Sequence, residues 1–220
     1  MRNLWATLRG GPASARRAWS IDSPAERRRA ALHYHLADHA ALRLRWTNMV
    51  ELAPGVWRSN HPAHARLETA KAQGVRTILN LRGTDETPAF LFERESCAAL
   101  GLAFVSVKLS ARSAPRRDEL LKLFEAFRTV ERPFLMHCKS GADRAGLASA
   151  LYLLAQGAPL AEARRQLSWR FLHVRWSKTG ILDHVLDLYE ARQARGPIGI
   201  EAWVRDEYDR EAATASWRRW

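Results

Sequence analysis

From Val50 onward the chain alternates short apolar runs with amphipathic stretches, the pattern of strands separated by helices. Val56 and Trp57 begin a first strand, residues 64–73 read as a helix stopped by Gly74, and residues 75–81 as a strand buried on both faces. Residues 86–100 predict a helix, 103–109 a strand and 118–130 a helix, and the apolar run from Pro133 to His137 is a short strand ending on Cys138. The remainder predicts helices over 144–155, 160–169 and 178–192. Ahead of this body, Ser23-Pro24-Ala25-Glu26 fits a capping box with proline at the first helical position. A helix should run from there to about Trp46, with Leu32, Leu36, Ala40 and Leu44 as its buried stripe and Arg27, Arg28 and Arg29 facing out. The fold class expected is α/β: a short, mainly parallel central sheet flanked by helices on both faces.

Length then limits the organisation. The 220 residues suffice for one core with terminal extensions. Residues 1–22, with Gly10, Gly11, Pro12 and scattered arginines, read as a flexible basic arm, on which Leu4, Trp5 and Leu8 could make a peripheral membrane contact. A solvated tail is the plainer reading of that arm. The body spans 23–195, and a tail over 196–220 carries Trp203, Trp217 and Trp220, which favour docking onto the body.

A net charge of +12 favours anionic partners. No aromatic stacking pattern accompanies it, so nucleic acid is not the expected partner. Cys97 and Cys138 have no paired spacing, Met1 to Ile21 lacks a continuous apolar core, and no later run is long enough to span a bilayer. A cytoplasmic location is expected. His33, His35 and His39 on the first helix lack a completing carboxylate or cysteine set, so no metal and no cofactor is expected. Cys97, beside Phe92 and Leu100, reads as a core residue, with a resolving thiol as the alternative.

The chemistry concentrates in His137-Cys138-Lys139-Ser140-Gly141-Ala142-Asp143-Arg144-Ala145-Gly146, between a strand and a helix. A loop closing onto a helix N-terminus turns backbone N–H groups inward and is suited to holding a phosphate. A cysteine at the head of such a loop sits where the thiolate is favoured, and a thiolate can attack phosphorus in line. Arg144 returns to the mouth of the loop on the first helical turn, where its planar fork can grip two phosphate oxygens. Gly141 fits a position of positive φ or close approach to the phosphate.

This His-Cys-x5-Arg segment with its internal glycine resembles the signature of cysteine-dependent protein-tyrosine and dual-specificity phosphatases. Trp57-Arg58-Ser59 followed by Pro62, and Asn80-Leu81-Arg82 at a strand end, look like features of compact bacterial members. Rhodanese-type sulfur transfer also uses a cysteine loop after a strand, but the loop length here is that of the phosphatases. The resemblance implies a phosphotyrosine-phosphatase-like fold over 23–195, Cys138 as nucleophile and Arg144 as phosphate clamp. Lys139, Ser140, Gly141, Ala142 and Ala145 would surround the bound phosphate.

Two positions depart from the family pattern. The hydroxyl that usually follows the arginine is replaced by Ala145, for which Ser140 is a possible substitute. The usual acid is an aspartate on the connection before the loop, but Ser106 to Arg117 contains no carboxylate. Asp143 matches the acid position of myotubularin-like and some bacterial lipid-and-tyrosine phosphatases and is the preferred acid, with Asp118 second. Lys139 resembles a basic loop residue of tensin-type phosphoinositide phosphatases, and Arg112, Arg116 and Arg117 add charge nearby. The expected function is phosphomonoester hydrolysis on a phosphorylated protein or phosphoinositide. The alternative is a phosphate-binding pseudophosphatase or adaptor.

Overall fold

A computed structural model describes residues 18–218. The readings made for Met1 to Arg17 and for Trp220 lie outside the described residues. Five strands form one sheet in the order β1-β2-β5-β3-β4: β1 (Val50–Ala53), β2 (Val56–Ser59), β3 (Thr77–Asn80), β4 (Ala103–Ser106) and β5 (Phe134–His137). Only the β1–β2 pair is antiparallel, closed by Pro54-Gly55; the other pairings are parallel. The sheet is thus short and mainly parallel, as the alternating pattern predicts, and β1 is an edge strand that the pattern did not single out. Every residue of β3 and β5 is buried, so each has an apolar centre, Ile78-Leu79 and Phe134 to Met136, without apolar-polar alternation.

The helices are α1 (Pro24–Leu36), α2 (His64–Ala72), α3 (Pro88–Leu100), α4 (Arg117–Thr129), α5 (Asp143–Ala155), α6 (Leu160–Arg164), α7 (Ile181–Gln193), α8 (Ile200–Asp206) and α9 (Arg210–Ser216). One core, on the α4, α5 and α7 side, takes Phe134 and Met136 from β5 and Cys138 just after it. A smaller one beneath α2 and α3 takes Leu135 and Cys97. Alternation along β5 carries on to Cys138, which lies in the first core, while Cys97 of α3 lies in the second. Burial pushes the Cys97 thiol up to about 12. It is a core residue. Helix α5 packs tightly on the turn that follows α6 because Gly146 leaves room: a Cβ there would lie 2.7 Å from the Gln166 carbonyl oxygen.

The accessory segment differs from its expectation. Helix α1 ends at Leu36, not near Trp46, and a separate 3-10 turn covers Ala40–Leu44. His39, at φ 58°, breaks the path between them. The expected apolar stripe is not buried: Leu32, Leu36 and Leu44 are exposed, and of that set only Ala40 is covered. The docking face is instead Ala30 and Tyr34, whose ring packs on Phe92 of α3 at 5.7 Å. A four-residue leucine spacing marks one face of a helix, but the residue that fits the neighbouring groove decides which face docks. The helix read over 160–169 is likewise only α6 followed by turns and a 3-10 turn at Trp169–Phe171.

Residues 200–216 carry α8 and α9 against the body. Trp203 is buried between Tyr189 and Tyr208, and the Tyr208 hydroxyl donates to the Pro115 carbonyl at 2.8 Å. Among the described residues no helix is long and apolar enough to cross a membrane.

Candidate active site

The loop from Cys138 to Arg144 runs from the carboxyl end of β5 into α5, in the middle of the sheet. Ligands of parallel α/β sheets bind at this edge. Cys138 is 1% exposed, and the Gly141 N–H points at its Sγ, 3.3 Å away. Gly141 has φ +75°, and a Cβ there would come within 2.8 Å of the Asn60 nitrogen and 2.9 Å of the Ser59 carbonyl carbon. No residue with a side chain fits without displacing backbone, so both reasons for expecting glycine apply.

Three neighbours fix the loop from outside. The buried Arg58 guanidinium donates to the Gly141 carbonyl, to the Gln166 carbonyl at 2.9 Å and to Gln166 Oε1 at 2.8 Å. It stacks over Phe171 at 3.8 Å. Burial pushes Arg58 down to about 10, Arg170 adds to the fall, and the charge of Cys138 opposes it. Asn48 Nδ2 donates to Ser140 O at 3.2 Å and to Phe171 O at 3.0 Å. The His61 N–H donates to Lys139 O at 3.2 Å.

The loop opens into a cleft of about 760 Å³ lined by Lys139, Ser140, Asp143 and Arg144. Arg43, Arg82, Lys108 and Arg112 also line it, so six cations face three carboxylates, Asp85, Glu119 and Asp143. Ser140 Oγ accepts from the Ala142 N–H at 3.3 Å. Ala142 and Ala145 are 3% and 0% exposed, so what they can offer a phosphate is backbone N–H. The Ala145 methyl belongs to the core. Asp118 does not line the cleft; it pairs with Arg116 at 2.9 Å and Lys122 at 3.7 Å on the surface of α4.

Sequence reading missed two groups. The first is the Asp143–His173–Asp183 chain: His173 Nδ1 lies 2.8 Å from Asp143 Oδ1, and its Nε2 lies 2.6 Å from Asp183 Oδ2. Burial alone would push this imidazole down, but its hydrogen bonds to the two carboxylates outweigh that and raise it to about 9. The second is Asp38, just past α1, which binds Arg43 at 2.6 Å, Arg82 at 2.7 Å and Lys139 at 3.5 Å. Burial opposes its charge, but Arg82 and Arg43 together hold the carboxyl below its ordinary range. No local motif flags either group, because the partners come from separate parts of the chain.

His61, Glu93 and His137 form a fully buried group behind the loop, with donor atoms within 4.8 Å of one another. His137 Nε2 is 2.7 Å from Glu93 Oε1, a close polar contact off the line of an ideal hydrogen bond. Across a tetrahedral metal two such atoms would stand roughly 3.3 Å apart. The spacing therefore fits a direct pair better than ligation. Burial, reinforced by His137, pushes His61 well below the usual histidine value.

Residues 46–178 match the family model described as Swiss Army Knife protein, DSP-PTPase phosphatase domain. The dual specificity protein phosphatase TpbA of Pseudomonas aeruginosa is 33% identical over 129 residues, covering 56% of this chain and 58% of TpbA. The chain thus matches little more than half the length of that relative. Crystallised P. aeruginosa TpbA in complex with pTyr superposes with a TM-score of 0.51 at 20% identity, over 70% of this chain and 98% of that one. The core catalytic domain of the PP-IP phosphatase SIW14 from S. cerevisiae, in complex with citrate, gives 0.51 at 19% identity, over 67% and 91%. At these identities the two structures speak for the fold.

Proposed function

Because this chain belongs to the DSP-PTPase phosphatase domain family, we propose that it hydrolyses phosphate monoesters through a phosphocysteine on Cys138. The observation that carries this reading is Cys138 at the head of the loop that opens into a cation-lined cleft, with the Gly141 N–H directed at its sulfur. Loop N–H groups and Arg144 would hold the phosphoryl oxygens. The Cys138 thiolate attacks phosphorus; the S–P bond forms as the bond to the leaving oxygen breaks, and that oxygen takes a proton. Water then attacks phosphorus, the S–P bond breaks, and orthophosphate leaves with the thiolate restored.

Asp143 is the proposed acid, since it lines the cleft next to Arg144. His173 stands behind it as a positioning residue. The His173 ring, held by Asp183 at its other nitrogen, fixes the Asp143 carboxyl through Nδ1 as that carboxyl gives its proton to the leaving oxygen. The substrate is proposed to be a phosphorylated tyrosine, serine or threonine of a protein. A phosphoinositide is the second reading, favoured by the six cations lining the cleft. A buried Cys97 and a loop Cys138, unpaired, fit a cytoplasmic setting.

The test is p-nitrophenyl phosphate turnover by the protein and its Cys138→Ser variant, without metal and with a reductant. Turnover lost in the variant supports the thiolate route, and a panel of phosphopeptides and phosphoinositides then assigns the substrate. No turnover with vanadate binding retained would replace the enzyme by an adaptor.

A further inference from the structure

Two stretches beside the cleft carry large apolar side chains into solvent. In residues 169–178, Phe171 and His173 are buried while Trp169, Leu172 and Trp176 are 65%, 50% and 66% exposed. In residues 41–46, Arg43 is buried while Leu42 and Leu44 are 70% and 65% exposed and Trp46 is 36% exposed. The stretches are neighbours. Asn48 reaches from the end of one to the Phe171 carbonyl of the other, and Asn60 Nδ2 donates to the Trp46 carbonyl. Leu42 and Trp46 from the first stretch, and Thr179 just beyond the second, line the same cleft as Arg144. Leu42 and Trp46 thus stand at the cleft itself, and Trp169 and Trp176 flank a neighbouring hollow with Arg175 and Asp183, so the exposed apolar groups cluster on adjoining stretches instead of being scattered singly.

The charge in these stretches has one sign. Neither contains Asp or Glu, and Arg45, Arg170, Arg175 and Lys178 are exposed among the apolar side chains. Arg175 is answered by Asp187 at 2.9 Å, and Arg170 lies over the Phe171 ring at 5.5 Å. Tryptophan and leucine interleaved with arginine and lysine form an interfacial composition: the indoles sit at headgroup depth while the cations meet lipid phosphates. The other occupants are disfavoured by charge. Residues 1–17 carry Arg2, Arg9, Arg16 and Arg17 with no acid, and a second copy placed by two-fold symmetry would set cations against cations. An anionic surface complements the rim; a cationic one does not.

We propose that this rim docks on the surface of an anionic lipid bilayer, with the mouth of the phosphate cleft turned toward the headgroups. Docking is independent of turnover, so its test can fail while the phosphatase reading stands. The full chain is sedimented with vesicles of phosphatidylcholine alone and of phosphatidylcholine mixed with phosphatidylglycerol, at rising salt. Binding to the mixed vesicles, weakened by salt and absent from the neutral ones, is expected. The Trp169→Ala/Trp176→Ala variant should lower the partition coefficient roughly tenfold or more. Arg45→Glu/Lys178→Glu should lower binding to the mixed vesicles alone. p-Nitrophenyl phosphate turnover should be unchanged in both variants. Equal binding to both vesicle types, no binding, or unaltered binding by the tryptophan variant would overturn the proposal. So would a concentration-dependent dimer, seen by light scattering, that the tryptophan variant abolishes.

Discussion

His173 reaches Asp143 across thirty residues of chain, with Nδ1 2.8 Å from the carboxylate oxygen, and is held in turn by Asp183 at 2.6 Å. The imidazolium, raised to about 9 by its bonds to the two carboxylates, holds the Asp143 carboxyl in one orientation at the cleft. That hold is lost as His173 gives up its proton, so the wild-type rate should persist up to near pH 9 before its alkaline limb falls. In His173→Asn the limb near pH 9 should disappear. The rate should drop about 10- to 10³-fold on phosphotyrosine and less on p-nitrophenyl phosphate, whose leaving group needs little protonation. pH–rate profiles on the two substrates check this. An unmoved alkaline limb would reduce His173 to a structural brace.

The same histidine links stability to pH. Its folded value, about 9, lies above the ordinary 6.5, so its contribution is fully present below pH 6.5 and is lost as pH rises through 9. The side chain is only 3% exposed, and the contribution amounts to about 3 kcal/mol. Thermal unfolding should show Tm falling between these pH values in the wild type and a flatter profile in His173→Asn.

Gly141→Ala tests the close approach beneath the loop. The added methyl would meet backbone atoms of Ser59 and Asn60 at 2.9 and 2.8 Å, and neither can swing aside as a flexible side chain would. The loop must shift, and a displacement of about 1 Å costs roughly 100-fold in rate. Turnover and vanadate affinity should fall together, with about 1–3 kcal/mol of stability lost to the strained φ.

Legibility in the sequence followed locality. The loop could be read because nucleophile, glycine and arginine fall within seven consecutive residues. Strands β3 and β5 could be read because burial on both faces gives each an apolar centre, Ile78-Leu79 and Phe134 to Met136. Helix α1 misled because leucine spacing resembles a buried stripe, whereas Tyr34 and Ala30 make the contact with α3. Asp38, His173 and Asp183 were invisible, since each acquires its meaning only from a partner elsewhere in the chain. Arg58 stood in a noticed triplet, but nothing local shows that it supports the loop.

Asp38 organises one wall of the cleft. It is 8% exposed and binds Arg43, Arg82 and Lys139, all of which line the opening. Asp38→Asn leaves these cations uncompensated, at a cost of about 3 kcal/mol or more for a buried pair broken on one side. KM for phosphorylated substrates should rise several-fold as Arg82 and Lys139 lose their anchor, while kcat on p-nitrophenyl phosphate changes little. Steady-state kinetics beside a denaturant titration separate the two effects.

Arg58 carries the last prediction, because it is the buried charge on which the phosphate loop rests. Its fork satisfies the Gly141 carbonyl and two oxygens of Gln166 while lying over the Phe171 ring, thereby joining the loop to the segment after α6. Lysine keeps the charge but cannot make these planar contacts, and its compact ammonium is more strongly hydrated and costlier to bury. Arg58→Lys should thus lose about 2–3 kcal/mol, close to the cost of stranding buried carbonyls. Arg58→Ala should lose more, since it also vacates the volume over Phe171. Both should weaken vanadate binding in step with turnover, because Arg58 acts on the loop and not on the reacting atoms. If Arg58→Lys were as stable and as active as the wild type, the loop would be held by Asn48 and the His61 N–H alone.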